Sequence, residues 1–104
     1  MKKTPDRILA DLLVQINAAE LQNRLFRLSN REIAVAMTYL SDRERRILFS
    51  AMPPEKNSLV LEEIRFQENV IVSRPFYLSV MKRVINILAG NSDDSFRKGY
   101  LRPL

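Results

Sequence analysis

The chain reads as an all-α protein, a compact stack of short helices closed by a longer C-terminal helix, and three observations predict it. An apolar residue recurs every twelve positions, at Ile16, Leu28, Leu40 and Met52, and the residues after each are suited to open a helix. Between these markers the apolar side chains fall at helical spacing. The segments so defined are too short to be stable alone: helices of about two to three turns are marginal in water and must pack against neighbours.

Each element has its own start signal. Thr4-Pro5-Asp6 opens the first helix, with Ile8, Leu9, Leu12, Leu13 and Ile16 as its apolar stripe. Asn17-Ala18-Ala19-Glu20, Ser29-Asn30-Arg31-Glu32 and Ser41-Asp42-Arg43-Glu44 each have the form of a capping box. In such a box the first side chain accepts from the amide three residues on, and the Glu reaches back. Met52-Pro53-Pro54-Glu55 starts the next helix with proline in the first turn. The stripes that follow are Leu21, Leu25 and Leu28; Ile33, Ala36, Met37 and Leu40; Ile47, Leu48 and Met52; and Val60 and Ile64 with Leu59 and Phe66. Val70-Ile71-Val72 reads as an extended connector. Ser73-Arg74-Pro75 then opens the longest helix, which carries Phe76, Tyr77, Val80, Met81, Val84, Ile85 and Leu88 on one side and ends at Gly90. This stripe is read as closing the core of its own domain. At 104 residues one folding unit is expected, a helical domain over 1–90 followed by a flexible basic tail over 91–104.

Composition narrows the chemistry. The chain contains neither cysteine nor histidine, which removes the strongest nucleophile, the commonest general base and the commonest transition-metal ligand. Its only glycines are Gly90 and Gly99, so there is no glycine-rich loop to cradle a nucleotide phosphate. The expectation is a protein that is not an enzyme and takes no cofactor. Net charge is +5, but twelve basic and all twelve acidic residues lie between Thr4 and Asp94, and the surplus comes from Lys2, Lys3, Arg97, Lys98 and Arg102. A neutral body with a few terminal cations is not expected to bind nucleic acid. Asp6, Arg7 and Asp11 interrupt any signal-peptide core, and no apolar run approaches the length of a membrane span, so a cytoplasmic location is expected.

Several features bear on function directly. Glu62 and Glu63, adjacent on a helix, point about 100° apart and cannot face each other as a catalytic pair; they are a surface or binding feature. Asn91-Ser92-Asp93-Asp94-Ser95 offers oxygen ligands but lacks the later Glu of a calcium loop, and no metal site is expected. Phe96 to Leu104 mixes aromatics with cations, as a short docking peptide would, although such an end is usually disordered. Leu40 to Leu48 is similar to the opening of a LuxR-type helix-turn-helix domain. The continuation argues against that reading, because Met52-Pro53-Pro54 intervenes and the next helix carries two adjacent carboxylates that would repel phosphate.

From about Arg7 to Leu88 the chain resembles the C-terminal domain of the flagellar motor switch protein FliG. The resemblance rests on the pattern of Leu21-Gln22-Asn23-Arg24-Leu25, Ile33-Ala34-Val35-Ala36-Met37, Ile47-Leu48 with Met52, and Leu61-Glu62-Glu63-Ile64. It is partly shared with the helical N-terminal domain of MgtE magnesium transporters, whose Leu-Pro-Pro-Glu turns are similar to Met52-Pro53-Pro54-Glu55. The resemblance implies an armadillo-like stack and a domain that meets protein partners, namely the cytoplasmic region of the membrane-embedded stator or other rotor proteins, peripheral to the inner membrane at the flagellar basal body. Self-association is a further possibility it raises.

It also implies a ridge of charged side chains whose acidic pair matches Glu62 and Glu63. The basic members are not matched: their positions fall at Thr38, Glu55 and Ile71. Lys56, seven residues before Glu63 and on the same helix face, is the candidate basic member of a displaced ridge. The alternative is a helical adaptor or regulatory module of the MgtE N-terminal kind, unrelated to motility.

Overall fold

The structure is a computed structural model in which residues 3–91 are described. Six α-helices and no strand occur among them: α1 Pro5–Gln15, α2 Ala18–Leu25, α3 Asn30–Ala36, α4 Asp42–Ser50, α5 Pro54–Gln67 and α6 Arg74–Leu88. The tail expected over 91–104 lies, apart from Asn91, outside the described residues, and so do the candidate calcium loop beyond Asn91 and the docking peptide Phe96 to Leu104.

The twelve-residue period is a period of helix starts. The N-caps of α2, α3, α4 and α5 are Asn17, Ser29, Ser41 and Pro53, each with extended backbone. At Ser29 and Ser41 the capping boxes are complete, the hydroxyl accepting from the Glu32 and Glu44 amides at 3.0 and 3.2 Å while each Glu accepts from the cap amide at 2.9 Å. The box expected at Asn17 is only half formed. Its side chain accepts from the Ala19 and Glu20 amides, but the Glu20 carboxylate turns instead to Arg24, 3.0 Å away. Charge attraction one turn ahead outcompetes the amide behind it. The residue ahead of each serine cap, Leu28 and Leu40, is buried, so the same period that starts the helices also anchors the links between them.

Packing does not run simply from one helix to the next. The most extensive contacts join α3 to α5 and to α6, and α6 also lies on α1 and α2, while α1 meets α4. The long last helix therefore returns across the first three. Its inward face, Tyr77, Val80, Met81, Val84, Ile87 and Leu88, is buried as a continuous stripe, whereas Phe76 stays 40% exposed with Arg31 over its ring. The centre is α3, where five successive side chains from Ile33 to Met37 are all at or below 1% exposure. A stretch covered on every side needs no polar face, and the polar residues of α3 are confined to its first turn.

Helix ends are closed by side chains reaching across the molecule. Arg45 of α4 donates to the carbonyls of Met37 and Thr38 at the end of α3. Asn57 of α5 donates to Phe49 in α4, and Gln67 to Ala34 in α3. Arg24 of α2 donates at 2.9 Å to Leu88 at the end of α6. These carbonyls lie in the last turn of a helix or just beyond it, where the regular ladder gives way to tighter turns, and a cation there also meets the negative end of the helix dipole. Gly90 completes the last of these ends with φ +85°, and a Cβ on it would stand 3.3 Å from the Arg24 guanidinium.

Candidate functional site

Helix α5 is where sequence and tertiary structure part company. Its apolar residues do not form one stripe, because Leu59, Val60, Leu61, Ile64 and Phe66 point in several directions around the axis. Only Val60 is fully buried, with Ile64 half-buried beside it and Gln67 bonded to α3. Leu59 and Phe66, counted with the apolar stripe of this helix, are 48% and 54% exposed, and Leu61 is 42% exposed. The line through Val60, Ile64 and Gln67 is the one that α3 covers, and Leu59 and Phe66 lie off it.

On this outward side Glu62 is exposed, while Glu63 is half-buried on the flank next to Val60 and Gln67, and neither has an ion-pair partner among the described residues. Leu59, Glu62 and Phe66 follow one another at helical spacing, so a carboxylate sits between two exposed apolar side chains. Glu55 is exposed in the first turn of the same helix.

Lys56 faces a different duty from the one its spacing suggests. Its ammonium donates at 2.8 Å to the Asn30 side chain and at 3.4 Å to the Leu28 carbonyl, and it stands 5.9 Å from the Phe26 ring centre. Partial burial lowers its pKa from the ordinary lysine value. The cation thus ties α5 to the link between α2 and α3. It shares a helix face with Glu63, but a partner approaching the carboxylates would meet its charge already engaged.

The remaining positions implied for a basic ridge hold no free cation. Thr38 donates its hydroxyl at 2.6 Å to the Val35 carbonyl. Ile71, in the connector between α5 and α6, is 97% exposed. What the sequence missed is the apolar component of the α5 surface: the wide scatter of leucines and phenylalanine around one helix was the signal, since no single packing partner can cover them all.

Among the described residues no group of three or more potential ligands is placed to hold a metal ion, and no helix is long and apolar enough to cross a membrane. Compared with family models, curated proteins and solved structures, the chain matches none of them.

Proposed function

We propose that this chain is a non-catalytic protein-interaction domain of the flagellar rotor, whose acidic and apolar α5 face meets a basic partner, in the manner of the stator-facing domain of FliG. The observation that carries this reading is Glu62, exposed on the outward side of α5 between exposed Leu59 and Phe66, with half-buried Glu63 on the flank beside it and neither carboxylate in an ion pair among the described residues. Exposed charge of one sign speeds encounter and sets orientation without tight binding, which suits contact that is made and broken repeatedly. Such a domain acts at the cytoplasmic side of the inner membrane. Reversing the pair, Glu62→Lys with Glu63→Lys, is expected to impair swimming while leaving helix content and melting temperature unchanged. Normal swimming of a strain that lacks the chain altogether overturns the reading.

A second reading is favoured by a separate observation. Lys56 is drawn inward and Thr38 is tied to its own helix, so a basic half of the ridge is missing. A helical adaptor or regulatory module, of the MgtE N-terminal kind, has no need of one. Affinity capture with the parent chain and with the doubly reversed variant distinguishes the two: a charge-dependent flagellar partner supports the rotor reading, and a charge-independent partner outside the motor supports the adaptor.

A further inference from the structure

Where the connector enters α6, the ends of α3 and α5 and the first turn of α6 enclose a cleft of about 270 Å³, remote in character from the acidic face of α5. Its lining includes Thr38, Gln67, Val70, Val72, Arg74 and Tyr77. Three features of this lining are unbalanced. Arg74 has no carboxylate or carbonyl partner among the described residues. Tyr77 is 6% exposed, and its hydroxyl, with under 1 Å² of accessible surface, makes no hydrogen bond there. Buried phenols ordinarily have a partner. Val70, finally, lines the cleft while 40% exposed, an apolar side chain left open beside polar Thr38 and Gln67.

The wall beside Tyr77 is exposed. Tyr39, which also lines the cleft, stands edge-on to the Tyr77 ring with centroids 5.1 Å apart, yet it is 65% exposed. Exposed side chains change rotamer on the picosecond-to-nanosecond timescale. Three neighbouring ionisable groups act on the Tyr77 phenol: Asp6 of α1 and Tyr39 raise its pKa and Arg74 lowers it. Burial first, and Asp6 second, push its pKa up to about 12, so at neutral pH it is a hydrogen-bond donor. A second anion against it would meet Asp6, whereas a neutral carbonyl would not. The place for an incoming carboxylate is Arg74.

We propose that this cleft binds a peptide segment of a partner protein in which an apolar residue precedes an acidic one. The carboxylate pairs with Arg74, the apolar side chain lies against Val70 and Val72, and a backbone carbonyl accepts from the Tyr77 hydroxyl as Tyr39 swings aside. The site prefers negative charge where the α5 face prefers positive, so it stands or falls independently of the rotor reading.

The test is an NMR titration of the full chain with N-acetyl-leucyl-glutamate amide and with its neutral isostere, N-acetyl-leucyl-glutamine amide. Saturable shifts are expected at Thr38, Val72 and Tyr77 with both, the acidic peptide binding about fivefold more tightly, as one exposed ion pair allows. Arg74→Gln should abolish that preference, and Tyr77→Phe should weaken both peptides alike. Circular dichroism of each variant establishes that it is folded. Absence of saturable shifts in the cleft, equal affinity for the two peptides, a preference that survives Arg74→Gln, or undiminished affinity in Tyr77→Phe each overturns the proposal.

Discussion

Helices α3 and α5 lie against each other, yet they use their residues in opposite ways. The shorter one, Asn30–Ala36, is almost entirely apolar after its first turn, and from Ile33 to Met37 it is sealed from solvent. The longer one, Pro54–Gln67, has twice the residues and buries a single side chain, Val60. Length is therefore a poor guide to which helix forms a core. What separates the two is the number of neighbours: α3 is covered by α5 and α6 together, while α5 has α3 as its only extensive partner among the described helices. One helix is sealed after its first turn and the other is covered along a single line.

Substitution tests that difference most sharply at its extremes. Met37→Ala, at a site with 0% exposure, removes most of a buried side chain and should cost about 2–5 kcal/mol in chemical denaturation. If it costs no more than a surface change, α3 is not the centre of the core.

Next in size comes Gly90→Ala at the end of α6, where a positive φ and the nearby Arg24 guanidinium both oppose a Cβ. A loss of about 1–2 kcal/mol is expected, read from the same denaturation curves. Ser29→Ala and Ser41→Ala each remove one complete capping box and should lose about 1 kcal/mol apiece. Asn17→Ala forfeits only a half-formed box and should lose less, a ranking that thermal melts can check.

Tyr77 supplies a test by pH. Its folded pKa is raised to about 12 from an ordinary 10.0, so below pH 10 the phenol is neutral in both states and no stability is lost. Above that, ionisation of the unfolded chain draws the equilibrium away from the fold, and stability falls until the folded phenol ionises as well. Denaturation at about pH 9 and about pH 11 should show this loss in the parent chain and a smaller one in Tyr77→Phe. At neutral pH the same variant should be no less stable than the parent, because it removes a hydroxyl without a partner.

The smallest effects belong to α5. Phe66→Ala and Glu62→Gln should change stability by no more than about 0.5 kcal/mol. A larger loss at Phe66 would mean that the exposed face carries part of the core after all.

The local signals in this sequence were strong because they depend on a few adjacent atoms. A serine or asparagine three residues ahead of a glutamate marks a helix start whatever surrounds it, and the caps at Asn17, Ser29 and Ser41 stand where that chemistry puts them. The candidate site was half legible. Glu62 was identifiable as an outward carboxylate because ionised side chains stay in water unless paired, whereas its neighbour Glu63 is half-buried. Lys56 was not legible, since its partners Asn30 and Leu28 are more than twenty residues away and reach it only once α5 lies on the α2–α3 link.

By itself, then, the amino-acid sequence determined that the chain is helical, where its helices begin, and that α6 carries a stripe to bury. Tertiary structure alone decided that Ile33 to Met37 are covered on all sides, that Leu59 and Phe66 face outward, and that Arg24, Arg45 and Gln67 close the ends of other helices. The reason is one of range. Capping and amphipathic spacing act within a turn or two of the backbone, whereas burial of a given face depends on which distant element arrives to cover it.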